Sequence, residues 1–216
     1  MGWLLNVNNP VMRFIVKLFD CMCLSLLWVL TCLPVFTFGA ATSALFCVIR
    51  RYIRREEGNL WSCYWSAFRE NFKRSTLCAL VVLALLALFV VDALVFRTMY
   101  LQAQPLGFLY WLALLLLALA LTWCAYLFAY GERFDGSVKD VLRLSGMLML
   151  LHPVKTLTVM ALVLGGAALI VMAPGMLGIV PGVGGWMCEV VIDSVFRAHL
   201  RPEDRERLEQ ETAQDT

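Results

Sequence analysis

Charged residues are absent from long stretches of this chain, and that spacing sets the first expectation. Cys21 to Ile49, Thr98 to Gly131 and Thr156 to Cys188 carry no charge, and Ser75 to Phe96 carries only Asp92. A helix needs about 20 consecutive apolar residues to cross roughly 30 Å of hydrocarbon, so these stretches are long enough to span a membrane. Gln102, Gln104, Pro105 and Gly107 interrupt the start of the third stretch. That places its helix at about Leu106 to Tyr130 and leaves residues 98–105 as a short loop. Pro174-Gly175 and Pro181-Gly182 divide the fourth, so one helix ends near Ala173 and another begins just beyond, running past Glu189 to about His199. The expected fold is all-α: a polytopic transmembrane bundle of about five hydrophobic segments. It forms a single membrane-embedded domain over residues 1–216, with residues 203–216 as a polar, charged cytoplasmic tail.

Composition agrees. Apolar residues make up 61% of the 216 and charged residues 16%, with a mean hydropathy of +0.77, which excludes a disordered chain and disfavours an ordinary soluble domain. A formal charge of +2 gives no net excess for holding a polyanion, so nucleic acid is not an expected partner.

Arginines and lysines favour the cytoplasmic side of membrane proteins. Here they cluster at Arg13 and Lys17, Arg50 to Arg74, Arg133 to Lys155 and Arg197 to Arg207, with Arg97 alone elsewhere. The loop after Phe96 and the turn near Pro174 are then external, and the C-terminus is cytoplasmic. A single span through 21–49 would leave Arg13 and Lys17 outside. A break at Pro34 to Gly39 would fold this block back on itself, with Pro34 ending one helix, Thr37 capping the next and Gly39 beginning it. Length opposes this, because Gly39 to Ile49 extends only about 16 Å as a helix and cannot cross alone. The broken, hairpin-like form with one short leg is the expectation, the single long span the alternative. Arg13 and Lys17 before an apolar run also imitate a secretory signal, but the charges begin late and Asp20 interrupts the approach, so retention is expected.

Trp61, Tyr64, Trp65, Phe68 and Phe72 recur at helical spacing beside Arg69 and Lys73. An aromatic, basic helix just before a span reads as an interfacial anchor in the headgroup layer or as a docking surface. A second amphipathic segment, 136–151, precedes the next span, which hints at an internal duplication. Within the apolar blocks, Asp92 is expected to pair with Arg97, and Asp20 with Lys17. Glu189, Asp193 and Arg197 stand at successive i+4 positions. Arg197 can pair with Asp193, which leaves Glu189 deeper and without a local partner. Intramembrane carboxylates default to functional candidates, so Glu189 is read either as reaching the headgroups or as part of a polar path. The eight cysteines lie mostly in apolar runs without zinc spacing, and the two histidines, His152 and His199, stand apart from them. They read as buried thiols; no metal or cofactor is expected. Small-residue patches at 39–44 and 165–168 and the Gly178–Gly182 spacing suit close helix packing or self-association.

Leu26-Leu27-Trp28, then Cys32-Leu-Pro-Val-Phe-Thr-Phe-Gly-Ala-Ala41 with Ala44-Leu45, resembles the signature of the YesL-like family of bacterial membrane proteins, a domain of unknown function. Phe68-Arg-Glu-Asn-Phe-Lys73 resembles that family's aromatic, basic segment before the next span. The resemblance is strongest over residues 14–97. It implies a retained first segment, a bacterial cytoplasmic-membrane location and a neighbourhood of carbohydrate-uptake systems, and it brings no catalytic residue or ligand.

The leading functional expectation is a non-enzymatic accessory or regulatory membrane protein linked to carbohydrate uptake, with a sugar ABC-importer permease or another membrane protein as partner. The alternative is a small transporter or channel built on the broken helix and Glu189. Enzyme motifs with nucleotide loops, HExxH or GxSxG spacing are absent from the sequence.

Overall fold

Nearly all of the backbone is helical in the computed structural model, which describes residues 10–34, 37–54, 59–102, 104–133 and 137–199. Among the described residues there are eight α-helices: α1 Pro10–Thr31, α2 Phe38–Val48, α3 Leu60–Glu70, α4 Phe72–Leu101, α5 Leu109–Arg133, α6 Val138–Leu151, α7 Pro153–Met172 and α8 Val180–His199. A π-helical turn, Ile49–Arg54, extends α2, and 3₁₀ turns at Pro105–Phe108 and Pro174–Gly178 lead into α5 and α8. Pro105, Pro153 and Pro174 all stand in first turns, where a missing N–H breaks no helical bond. The tail at 203–216 lies outside the described residues.

Three stretches among the described residues are long and apolar enough to cross a membrane: Phe72–Leu101, Pro105–Arg133 and Pro153–Met172. Only 17% of the apolar window of the first and 11% of the third are buried within the chain, against 44% of the second. So α5 is the central post, and α4 and α7 present most of their surface to the surroundings. A water-facing wall of that kind would be costly; a lipid-facing one is not.

Two expectations about the external side change. The loop expected at 98–105 is shorter, because α4 continues to Leu101, where the Gln102 N–H closes the last turn onto the Thr98 carbonyl at 3.1 Å. The uninterrupted helix also separates Asp92 from Arg97. Five residues correspond to about 500° of rotation, so the side chains diverge by roughly 140°, and no Asp92–Arg97 ion pair forms among the described residues.

The break in the first block is present: α1 ends at Thr31 and α2 begins at Phe38. Thr37 occupies the N-cap position, yet its hydroxyl does not cap α2. It turns back instead, donating toward the carbonyls of Thr31 at 2.5 Å and Pro34 at 2.6 Å. The Thr31 carbonyl belongs to the last turn of α1, which has no helical donor left for it; that of Pro34, beyond the helix, also accepts from the Thr37 N–H at 2.9 Å.

Beyond the break, α2 packs on the end of α5. The Phe38 ring lies 6.0 Å from that of Phe128, while Arg50, past the other end of α2, reaches Glu132 at 2.6 Å. Twelve residues of α2 and its extension, about 18 Å of helix, thus meet four residues of α5, about 6 Å. The short helix is wrapped by α1, α3, α4, α5 and α8, and Gly39 to Ala41 and Ser43 to Val48 are all buried. Gly39 is required there: a Cβ would overlap the Ser75 carbonyl oxygen and sit 2.6 Å from the Ala79 methyl. The patch of small residues serves burial inside one chain.

Candidate functional site

Each long apolar stretch ends at a first charged or basic residue, and the fold brings these boundary residues together. Arg50 terminates the first block, Arg74 precedes the second, Glu132 and Arg133 terminate the third, Lys155 precedes the fourth and Glu189 ends it. Arg50 Nη2 meets Glu132 Oε1 at 2.6 Å. Arg74 donates to the Gly131 carbonyl at the end of α5. Lys155 Nζ donates to the Ser194 carbonyl of α8 at 3.0 Å. Arg133 donates to Glu189 Oε1 and, through Nη1, to Asp193 Oδ1 at 2.8 Å. The result is a belt of charge around one end of the bundle, the end at which α5 finishes and α4 and α7 begin.

Arg133 is the centre of this belt. Its side chain is 9% exposed, that of Glu189 1%. The guanidinium also lies 4.7 Å from the Phe196 ring centroid, and Phe196 packs edge-on against Tyr130. A planar fork can meet two carboxylates and an aromatic face at once, which an ammonium cannot do. Glu189, left without a local partner by the i+4 spacing on α8, therefore has a partner from another helix, and Asp193 shares it. That partner comes from α5, 56 residues earlier, and only the backbone of Arg197 is described. Local spacing could not reveal the pair. A signal was present nonetheless, since Arg133 and Glu189 close apolar runs on helices that finish at the same end. Glu189 Oε2 and the Nε atoms of Arg50 and Arg133 are buried without hydrogen-bond partners. Among the described residues no cluster of three or more His, Cys, Asp or Glu is placed to hold a metal.

The aromatic helix divides into two faces. Asn59 caps α3 by accepting from the Trp61 N–H at 3.3 Å. Leu60, Tyr64 and Ala67 turn inward, and the Tyr64 hydroxyl meets that of Thr31. Trp61 and Trp65 point out, 66% and 46% exposed. Phe68 stacks on Trp65 at 5.5 Å and continues to Phe72 at 5.6 Å, while the Arg69 guanidinium lies 5.4 Å over the Trp65 ring. Lys73 is exposed in the first turn of α4. The single stripe expected from spacing is thus half core and half surface. Packing of α3 against α2 draws in Tyr64 and leaves an outward plate of two indoles beside a guanidinium.

Cys47 on α2 and Cys63 on α3 bring their sulfurs to 4.0 Å. Elsewhere the surface carries an apolar groove of about 230 Å³ between α4, α5 and α6, lined by Leu85, Phe89, Leu116, Trp123 and Met149.

Residues 21–93 match the family described as "Protein of unknown function, DUF624", consistent with the YesL-like resemblance. The matched segment covers the C-terminal half of α1, all of α2 and α3 and most of α4. No curated protein and no solved structure matches the chain.

Proposed function

We propose that this membrane protein works by contact rather than by catalysis, as an accessory or regulatory component associated with carbohydrate uptake. Its docking surface is the outward plate of α3, Trp61, Trp65 and Arg69, continued by Phe68, Phe72 and Lys73. The supporting observation is the contrast between two sites: the buried carboxylate Glu189 is closed by Arg133, while two indoles of α3 remain open beside a cation. Exposed tryptophan with arginine is the composition that dominates binding energy at protein interfaces. In this proposal the charge belt faces the cytoplasm of a bacterium, the chain crosses its cytoplasmic membrane several times and the C-terminus lies inside. The partner is a permease of a sugar ABC importer, and the bilayer itself supports the lower edge of the plate. Purification of the tagged full-length protein from native membranes should co-isolate permease subunits. W61A/W65A should lose them at unchanged expression. Recovery of no permease subunit by the parent protein would overturn the proposal.

One observation favours a second reading. Glu189 Oε2 is buried without a partner, as expected of a carboxylate in an ion or proton path. On that reading, purified protein in liposomes would move solute or protons, and E189Q would stop it. Absence of flux across a broad solute panel would leave the docking proposal standing alone.

A further inference from the structure

Cys47 and Cys63 bring their sulfurs together where α2 packs on α3, and we propose that they are a redox modification site at which a low-molecular-weight disulfide oxidises the pair to an intramolecular disulfide joining α2 to α3. The inference stands on the geometry of the two helices and does not require the docking proposal.

The two sulfurs lie 4.0 Å apart, in contact but not bonded. A disulfide needs about 2.05 Å, so closure brings the sulfurs about 2 Å closer between two helices that already pack together. The two thiols differ in kind. Cys47 is 3% exposed in the core formed with Leu45, Val48 and Tyr64. Cys63 is only half-buried, on the helix that carries the exposed indoles. The hydrogen bond with Cys47 lowers the Cys63 thiol below the usual range; burial opposes this, and Arg51 assists. Arg50 also acts on Cys63 favourably and Glu132 unfavourably. Since the thiolate is the attacking form, the accessible member of the pair is also the better nucleophile.

The Cys63 thiolate attacks one sulfur of an oxidant RSSR, forming the mixed disulfide and releasing RS⁻. The Cys47 thiol gives up its proton to the released thiolate or to water, and its sulfur attacks Cys63 Sγ, expelling the second RS⁻. Two protein thiols are oxidised, one RSSR is reduced to two RSH, and no metal or further electron acceptor is needed. Such disulfides in reducing compartments are transient sensors rather than structural links. Here the bond would clamp α3, with Trp61 and Trp65, onto the buried α2.

The test uses the full-length protein in nanodiscs, equilibrated in glutathione buffers from fully reduced to fully oxidised, then alkylated and mapped by peptide mass spectrometry. A linked Cys47–Cys63 peptide is expected, with both thiols lost from alkylation together. In C47S the glutathione adduct should accumulate on Cys63. In C63S, Cys47 should acquire at least tenfold less. Should either serine variant misfold, rates of iodoacetamide labelling on the parent protein decide equally well: Cys63 should react at least tenfold faster than Cys47. Full alkylation of both thiols in oxidised buffer, a stable glutathione adduct on the parent protein without the internal link, or equal labelling rates would each overturn the assignment.

Discussion

At Gly182 a Cβ would overlap the Cys21 carbonyl oxygen, and the Gly182 N–H donates to Ser25 Oγ at 2.8 Å. Gly182→Ala should therefore cost about 1–3 kcal/mol by forcing α8 from α1. Gly165→Ala, where nothing lies within 4 Å, should change little. Thermal unfolding in detergent distinguishes them. Arg133→Met removes the cation that donates directly to the buried Glu189, and loss of one member of a buried pair costs about 3–5 kcal/mol. Adding E189Q should restore much of that, so a double-mutant cycle with a coupling near zero would refute the central role of Arg133. Glu189 was legible as an unusual residue because it ends an apolar run. Its partner was not, since spacing along α8 speaks only of neighbours on that helix.

Among the elements, the break near Pro34 was the most legible, because proline ends helices for local reasons. Its closure was less so: a threonine at an N-cap reads as a cap, but here the open carbonyls of α1 compete for the same hydroxyl. Thr37→Val should lose about 1–2 kcal/mol, chiefly through the Thr31 carbonyl left without the hydroxyl, and Thr37→Ser should retain most of the parent stability, as read by chemical or thermal unfolding. The fate of α2 was illegible from hydropathy, since a helix wrapped by protein and one wrapped by lipid are equally apolar. The same ambiguity hid the two faces of α3. Spacing placed Tyr64 and Trp65 together, and only the position of α2 separates the buried phenol from the exposed indole. Trp61→Ala with Trp65→Ala should leave unfolding within about 0.5 kcal/mol, as expected for surface positions, whereas Tyr64→Ala should cost about 3 kcal/mol or more.

For the whole molecule, the apolar blocks and the grouping of basic residues were readable because hydrocarbon excludes charge regardless of fold. The meeting of their boundary charges in one belt was a consequence of that rule, visible once helices finishing at the same end were compared by depth. Cysteines introduced at Lys155 and Leu101 in a cysteine-depleted background should label with impermeant maleimide from opposite sides of sealed vesicles. Labelling from one side would break the topology. The burial of α2 also constrains biogenesis. Leu45 and Ile49 close on Gly185, and Arg50 on Glu132, groups that leave the ribosome long after α2 does. The segment that carries the family match therefore emerges with α3 and α4 beside it but before α5 and α8, which complete the enclosure of α2. One wall of its buried helix is thus supplied late, by the half of the chain that the family match does not cover.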